Sequence, residues 1–534
     1  MPTDALVVSR QTLVILLPEF LILLTATVMM TAGAFVRLPR KTWCVTAAGA
    51  LIAALIALIA LNHRTTDLYS AVALNDAFSG YARLGLLLSA LILLALAHDQ
   101  VDDARAPEFF GALLMVNAGS MLVASANELI FLFVGLELVS IPTYLLLYLS
   151  RRDANTQEAA TKYFFLSIFS SGLLLYGLAF LYGLTGVSNL KALAFLASAP
   201  AGGLQTQLGL IAVVFVMAGL GFRVAAVPFH FYAPDVYQGS PTILAAMLAW
   251  VPKAVGFLAI IRTLTAVVSV AGREDPLPQK AMMLAWVIAV VTMTLGNTVA
   301  LMQDNLKRLL AYSSIAHAGY MMIGVAVAFR NAPGTGTGGV FLGSESILFY
   351  LAAYALMTLG VFGVILALST RERPIETVDD LAGLARSQPA AALAMALCLF
   401  SLAGIPPLAG FWGKLQLFAS AFAASRAEDA RMFHVLAVIG ALNAAIGAYY
   451  YLRIVVVMYL RPPLTAEPIQ AKAGWPTIAA VGACASLSLV LGLFPDPISH
   501  ATREAAVAAT AHPAPGPETT PLAEVPSVAP AVAR

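Results

Sequence analysis

Residues 242–264 read TILAAMLAWVPKAVGFLAIIRTL, a run long enough to cross a membrane as one helix, because about 20 apolar residues span the hydrocarbon core. Lys253 lies near the middle of this run, far from either end, and the rest of the run is interpreted as apolar. A charged side chain at that depth costs about 2.5–3.5 kcal/mol on insertion scales. The run therefore predicts a membrane-spanning helix with a functional lysine.

Three further charged residues lie at membrane depth in or beside other apolar runs. Ionisable groups inside a membrane are rare and mark ion or proton pathways. Charges of both signs at this depth predict that the protein moves ions or protons, or couples another process to that movement. The three residues are Glu137 in Leu129–Leu149, Arg223 near the end of Leu208–Val227, and Lys414 after Ala391–Leu408.

The composition excludes a water-soluble globular protein. Of 534 residues, 60% are hydrophobic and 11% are charged, whereas soluble domains contain about 25% charged residues. A net charge of +2 gives no reason to expect nucleic acid as a partner. Cys44, Cys398 and Cys484 are far apart and are interpreted as small core residues. No nucleotide-binding or haem motif is present in the sequence, so we expect no cofactor on this chain.

Apolar windows of the required length predict an all-α polytopic membrane protein with about fourteen spans. The first window is too long for the apolar part of a signal peptide, which has about 7–15 residues. Lysine and arginine are more frequent in one set of loops than in the set that includes the termini, which favours termini on the outer side. The windows are Leu13–Phe35, Trp43–Leu61, Ala82–Ala97, Phe109–Ala124, Leu129–Leu149, Tyr163–Leu184, Leu208–Val227, Thr242–Leu264, Met282–Met302, Ser313–Phe329, Ile347–Leu368, Ala391–Ala421, Val435–Tyr459 and Pro476–Phe494.

Two of these spans are interrupted in a similar way. Glycines before Arg223 lead into Pro228 and Pro234, and Gly404 with two prolines precedes Lys414. Proline breaks or kinks a helix, and broken backbone at membrane depth is tolerated where it lines a cavity or is covered by protein. Two such breaks predict inverted repeats, each with a broken helix. The predicted division is 1–108 for helices 1–3, 109–264 and 265–460 for the two antiporter-like repeats, 461–511 for the final span and 512–534 for a disordered tail.

Four stretches make the chain similar to a known family, the antiporter-like membrane subunits of respiratory complex I. The resemblance extends from about Asn127 to Leu460 and is strongest to subunit N, because Lys414 is a lysine and the chain is too short for the long lateral helix of subunit L. The stretches are VPFHFYAPDVYQGSPT at 227–242, GLELVSIP at 135–142, NLKRLLAYSSIAH at 305–317 and GIPPLAGFWGK at 404–414.

The resemblance implies a proton path along Glu137, Arg223, Lys253 and Lys414, with His230 and His317 as candidate relays. It also implies a subunit of a proton-pumping NADH–quinone oxidoreductase in the bacterial inner membrane. NADH, FMN, iron–sulfur clusters and quinone are then expected in partner subunits. One position departs from the family, which usually has lysine where this chain has Arg223. Arginine does not release its proton in proteins, so we interpret Arg223 as a fixed counter-charge to Glu137.

Each site residue also has a structural interpretation. Lys253 could belong to a buried ion pair, Lys414 could extend to the interface, and the histidines could be hydrogen-bonded in the core. Glu137 and Arg223 could form a permanent bridge with no switching role. Other polar residues are explained by topology alone: Lys307 and Arg308 as loop charges, Arg453 and His434 near span ends, and Tyr449, Tyr450 and Tyr451 as an interfacial cluster.

Three other functions share these features. A subunit of a multisubunit cation/proton antiporter or of a membrane-bound hydrogenase would carry the same motifs. A structural membrane subunit that no longer pumps would be compatible with Arg223. Such a subunit would tolerate neutral substitutions at Lys253 and Lys414, which a pump would not.

Overall fold

The computed structural model of the protein describes residues 11–61, 71–150, 153–196, 206–270, 277–330, 342–370, 374–423, 430–464 and 473–510, with the single residues 64, 66 and 469. Within these ranges the chain consists of α-helices joined by short connections, without extended strands. The helices are α1 Leu17–Gly33, α2 Arg40–Leu61, α3 Ala77–Ala97, α4 Ala106–Ser125, α5 Leu129–Ser150, α6 Ala154–Thr185, α7 Leu190–Leu196, α8 Thr206–Arg223, α9 Ala233–Gly239, α10 Thr242–Val270, α11 Leu277–Ala300, α12 Leu306–Arg330, α13 Gly343–Leu368, α14 Leu384–Ser387, α15 Pro389–Ala403, α16 Ala409–Ala423, α17 Ala430–Leu460, α18 Trp475–Leu493 and α19 Asp496–Thr510.

The prediction of an all-α polytopic membrane protein is confirmed. Among the described residues, eleven helices are long and apolar enough to cross a membrane, and α1, α8 and α15 are shorter apolar helices. Every predicted window coincides with a helix, or with two in the case of Ala391–Ala421. The total of fourteen spans and their inverted-repeat relationship stay predictions.

Three helices, α10, α12 and α13, form the centre of the bundle. The most apolar 18 residues of α10 are all buried, and the corresponding windows of α12 and α13 are almost completely buried. Peripheral helices such as α2 and α17 leave much of their apolar surface exposed, as expected for helices that face lipid. Polar side chains on the three central helices therefore lie inside protein.

Both predicted breaks are present. Helix α8 ends at Arg223, four residues before the predicted end of its window, and an irregular segment leads to the short helix α9. The second break follows α15, where Gly404 has a φ of 87°, a left-handed conformation that favours glycine. A Cβ atom on Gly404 would lie 2.9 Å from the Cδ atom of Lys414. This glycine therefore ends α15 and also leaves room for the Lys414 side chain.

The final segment, predicted as one span in 461–511, contains two helices. Helix α18 ends at Leu493, and α19 begins at Asp496 after a short connection. Pro495 and Pro497 account for the separation, because a residue before proline avoids the helical conformation. Helix α19 packs against α3 and α13. The tail from His512 onward, predicted to be disordered, lies outside the described residues.

Candidate functional site

Glu137 and Arg223 form an ion pair between α5 and the end of α8. The Nη2 atom of Arg223 lies 3.1 Å from Oε1 of Glu137, and its Nη1 donates to Oγ of Ser140 at 2.7 Å. Ser171 on α6 donates to the same carboxylate oxygen at 2.5 Å. The guanidinium is buried, and its five donors suit several acceptors at once. Arg223 and Glu137 therefore form an ion pair, and the interpretation of Arg223 as a fixed counter-charge stays a prediction.

Lys253 lies in the core, and its hydrogen-bond partners among the described residues are neutral. Its side chain is buried, and Nζ donates to the Oγ atom of Ser314 at 2.6 Å and to the Ser314 carbonyl. Tyr354 also donates to Ser314 Oγ, at 2.9 Å, and Lys253 Nζ lies 4.6 Å from the centre of the Tyr354 ring. Within the described residues no carboxylate pairs with Lys253. The alternative of a buried ion pair at Lys253 therefore does not fit these residues.

Lys414 belongs to α16, and its ammonium group lies at the carboxyl end of α15. Its Nζ donates to the carbonyl oxygens of Leu402 and Ala403 at 2.9 and 2.8 Å. A cation is favourable at this position because the last carbonyls of a helix carry partial negative charge. The side chain is buried and its Nζ lies 5.2 Å from the ring centre of Tyr320. Lys414 therefore points into the protein, and its interpretation as a lysine extending to the interface is wrong.

His317 on α12 lies between two tyrosines. Its Nδ1 is 2.6 Å from the Tyr350 hydroxyl, and its Nε2 is 2.9 Å from the Tyr451 hydroxyl. Tyr451 also hydrogen-bonds to Ser313, one turn before His317 on α12. The imidazole thus has a hydroxyl partner on each nitrogen, an arrangement that can pass a proton from one side of the ring to the other.

The interpretation of Tyr449, Tyr450 and Tyr451 as one interfacial cluster is wrong. Tyr449 is 64% exposed, whereas Tyr450 and Tyr451 are each 1% exposed. Successive residues of an α-helix point about 100° apart, so one tyrosine faces outward and two face the core. Tyr450 donates to Asn297 at 3.0 Å. The spacing of residues around a helix could have predicted that the three tyrosines do not share one face. It could not have predicted that Tyr451 contacts His317.

His230 is separate from this cluster. It lies in the irregular segment between α8 and α9, and its Nδ1 has no hydrogen-bond partner among the described residues. Among the described residues, no hydrogen bond joins His230 to Lys253 or His317. The structure therefore places Lys253 and His317 on the central helices, whereas His230 lies at the break.

Lys307, Arg308 and Arg453 were explained from the sequence by membrane topology alone, but Arg308 and Arg453 also form ion pairs. Lys307 and Arg308 belong to the first turn of α12, and Arg308 pairs with Asp235 on α9 at 2.7 Å. Asp235 also pairs with Lys162, so the short helix α9 is tied to α6 and α12. Arg453 pairs with Asp304. His434 is exposed and its ring lies against Phe422.

Two buried ion pairs were missed by the sequence analysis. Arg262 on α10 pairs with Asp76, which contradicts the interpretation of Thr242–Leu264 as otherwise apolar. Arg83 on α3 pairs with Glu19 on α1 at 2.5 Å, and both side chains are almost completely buried. Charges inside three predicted windows, namely Glu19, Arg83 and Arg262, were the signal that could have revealed them. Among the described residues, no group of His, Cys, Asp and Glu could hold a metal ion.

Comparison with known proteins gives a consistent result over most of the chain. The profile of the family described as NADH:quinone oxidoreductase/Mrp antiporter, TM, matches residues 126–441. NADH-quinone oxidoreductase subunit N of Trichlorobacter lovleyi is 38% identical over 83% of this chain and 86% of that protein. The Rhodospirillum rubrum subunit N is 37% identical over 92% of this chain and 97% of that protein.

Solved structures show the same relationship. A chain of respiratory complex I from Thermus thermophilus with bound aureothin has a TM-score of 0.71 and 33% identity, covering 90% of this chain and 98% of that chain. A chain of the Mrp complex from Dietzia has a TM-score of 0.78 at 22% identity, covering 94% of this chain and 98% of that chain. At that identity the similarity concerns the fold alone.

Proposed function

The chain belongs to the NADH:quinone oxidoreductase and Mrp antiporter family, as a subunit N of NADH-quinone oxidoreductase, and we propose that Lys253, His317 and Lys414 carry its protons. It is a multi-pass, proton-translocating membrane subunit of the respiratory complex I enzyme. The observation that carries the proposal is the pair of buried lysines, Lys253 and Lys414, hydrogen-bonded to neutral oxygens. A buried ammonium without an anion is compatible with gaining and losing a proton.

The proposed path continues from Lys253 through the hydroxyl groups around it. Lys253 reaches Ser314 and Tyr354, and the Tyr354 ring centre lies 5.2 Å from that of His317. Tyr350 is hydrogen-bonded to His317 and packs against Gly413, which precedes Lys414 in the sequence. Hydrogen-bonded chains of this kind relay protons when water bridges the gaps. Lys253, His317 and Lys414 then act in that spatial order.

Glu137 and Arg223 have a different proposed role. Arg223 stays charged, so it holds Glu137 in place and does not carry a proton. The Cβ atom of Arg223 lies next to Gly256, one turn from Lys253 on α10. A change in the Glu137–Arg223 contact would therefore alter the electrostatic environment of Lys253, since nearby charges bias protonation. His230 at the break is a further candidate relay in the first half of the path.

The wider setting is part of the same proposal. Quinone reduction elsewhere in the complex supplies the energy, and NADH, FMN, iron–sulfur clusters and quinone are bound by partner subunits. This chain carries no redox centre. It lies in the bacterial inner membrane with both termini on the periplasmic side, and the repeats 109–264 and 265–460 each contribute part of the path.

The test is proton pumping by membranes that contain the assembled complex with Lys253→Ala. We expect pumping and coupled quinone reductase activity to fall strongly while assembly is preserved, because alanine removes the proton-carrying group. Lys280→Ala, at an exposed lysine on α11, is the matched control and should pump normally. Normal pumping by assembled Lys253→Ala would exclude Lys253 as a carrier.

A further inference from the structure

A buried clasp of side chains joins three helices near the carboxyl-terminal end of α10. We define the Asp76–Arg262 clasp as these two side chains with the carbonyl oxygen of Ala124. Arg262 donates one hydrogen bond to each carboxylate oxygen of Asp76, both at 2.9 Å. Its Nη2 also donates to the Ala124 carbonyl at 2.9 Å. One guanidinium thus connects α10 with the start of α3 and the end of α4.

Each member of the clasp has a defined place in its helix. Asp76 is the N-cap of α3, where its side chain accepts a hydrogen bond from the backbone nitrogen of Ser79. Ala124 belongs to the last turn of α4, whose carbonyl groups lack helical partners. The Arg262 guanidinium also lies 4.4 Å from the Phe78 ring centre. The clasp therefore satisfies polar groups at the ends of two helices with one side chain from a third.

The clasp is charged and buried. Burial alone would raise the pKa of Asp76, but the charge and hydrogen bonds of Arg262 lower this pKa to about 2. Asp76 therefore stays ionised at physiological pH. A buried ion pair is weak evidence for stability, because desolvation offsets the attraction, but in some proteins it specifies one arrangement over others. A pair at this location would specify the position of α10.

The position of α10 matters because the same helix carries Lys253. Lys253 and Arg262 are nine positions apart on α10, or about 13.5 Å along a helix that rises 1.5 Å per residue. The intervening residues are buried, so α10 is enclosed between the clasp and the lysine. If this half of α10 were displaced, the contacts around Lys253 would change as well.

We propose that Arg262 is a positioning residue that, with Asp76, holds α10 so that water from that end of the bundle does not reach Lys253. The role rests on the proposed function in one respect, namely that Lys253 carries a proton. A carrier must exchange its proton with the next group in the path, and uncontrolled water at Lys253 would let protons leak. The family profile covers 126–441, so it contains Arg262 but not its partner Asp76.

The test measures water access to position 253 directly. Lys253→Cys is introduced into the full complex, and its reaction with a small, water-soluble methanethiosulfonate reagent is followed in membranes. The native cysteines at 44, 398 and 484 are buried, and the complex without Lys253→Cys gives the background. Asp76→Asn combined with Arg262→Met removes both charges of the pair, so neither partner is left buried without the other. Asparagine retains the N-cap of α3.

We expect the double variant to assemble and to label at position 253 about tenfold faster or more, because local opening controls access to buried sites. Arg262→Lys retains the attraction to Asp76 and should label at nearly the original rate. The matched control is Glu19→Gln combined with Arg83→Met, which removes a similar buried pair. No hydrogen bond or ion pair of the described residues joins that pair to α10, so labelling should not change.

Unchanged labelling in the assembled double variant would overturn the proposal, as would equal acceleration in the Glu19/Arg83 control. With Lys253 present, the double variant should also pump fewer protons per electron at an undiminished amount of assembled complex, which a stabilising role alone would not produce. If Lys253→Ala pumps normally, the proposed function fails, while the labelling result still decides whether the clasp controls access.

Discussion

The ammonium group of Lys253 donates to the Ser314 hydroxyl at 2.6 Å, and the same hydroxyl accepts a hydrogen bond from Tyr354 at 2.9 Å. Ser314 is thus the first polar contact of the buried lysine and connects α10 with α12 and α13. Its oxygen can stabilise the protonated lysine, while Tyr354 keeps that oxygen in place.

The first prediction concerns this hydroxyl. Ser314→Ala should lower proton pumping per assembled complex about tenfold, because a hydrogen bond to a charged group contributes about 1.5–3 kcal/mol. The Ser314 carbonyl remains as a partner, so some activity should persist. Pumping by inverted membrane vesicles measures the effect. Ser120→Ala, at a buried serine bonded within its own helix, should pump normally; equal losses in both variants would contradict a specific role for Ser314.

The second prediction concerns the Tyr451 hydroxyl beside His317. Tyr451→Phe should reduce pumping about tenfold or more, because positioned proton-transfer groups contribute factors of this size or larger. Tyr449→Phe makes the same chemical change two residues away on the exposed face of α17 and should have no effect. Comparison of the two pumping rates at equal assembly decides the role. If Tyr451→Phe also pumps normally, protons do not pass through this hydroxyl.

The third prediction concerns Arg223. Arg223→Lys should leave the number of protons pumped per electron unchanged, because the proposed path runs through Lys253, His317 and Lys414. The measurement follows proton release and NADH oxidation in parallel in the same membranes. A clear rise in the ratio would show instead that arginine disables a first half-channel that lysine restores. The alternative of a partly structural subunit would then gain support.

The fourth prediction concerns pH and helix α19. Lys191 on α7 donates to the carbonyl oxygens of Ala508 and Ala509 in the last turn of α19. Burial, with a smaller contribution from Arg262, lowers the pKa of Lys191 to about 8, although Asp76 opposes the shift. The ordinary value is 10.5, so between these values the folded state binds fewer protons than the unfolded state.

The free energy of unfolding this contact should therefore rise with pH from about 8 to about 10.5, by at most about 3 kcal/mol at 1.36 kcal/mol per pKa unit. Hydrogen exchange of Asp496–Thr510, corrected for its intrinsic pH dependence, measures the change as increasing protection. Lys191→Met should abolish that increase. Protection that falls across this range in the unmodified protein would show that the sign is wrong.

Much of the fold could be predicted because a membrane restricts the backbone. Lipid cannot satisfy exposed peptide groups, so each crossing must be a helix of about 20 apolar residues. For this reason the windows such as Leu129–Leu149 and Ile347–Leu368 agree closely with α5 and α13. Prolines near Arg223 and Lys414 located both breaks. The predicted end of α8 at Val227 was four residues too late, because residues after a helix can remain apolar.

The site was predictable only in part. Deep charges at Glu137, Lys253 and Lys414 were evident because an isolated charge in an apolar run is costly. The hydrogen-bond partners of Lys253 and His317 were not, since Ser314, Tyr350 and Tyr451 are ordinary residues in other helices. Arg262 was overlooked beside Lys253, and Tyr451 was assigned to the interface.

The amino-acid sequence by itself determined that this protein is a helical membrane protein, that two of its spans break near Arg223 and Lys414, and that Glu137, Lys253 and Lys414 lie deep in it. These features depend on local composition, because the cost of moving a residue into lipid does not require knowledge of its neighbours. Only the tertiary structure decided that Lys253 and Lys414 face neutral oxygens, that His317 lies between two tyrosines and that Arg262 closes onto Asp76. Those contacts join residues up to 186 positions apart, and hydrogen bonds act only over about 3 Å, so helix packing alone determines which groups meet.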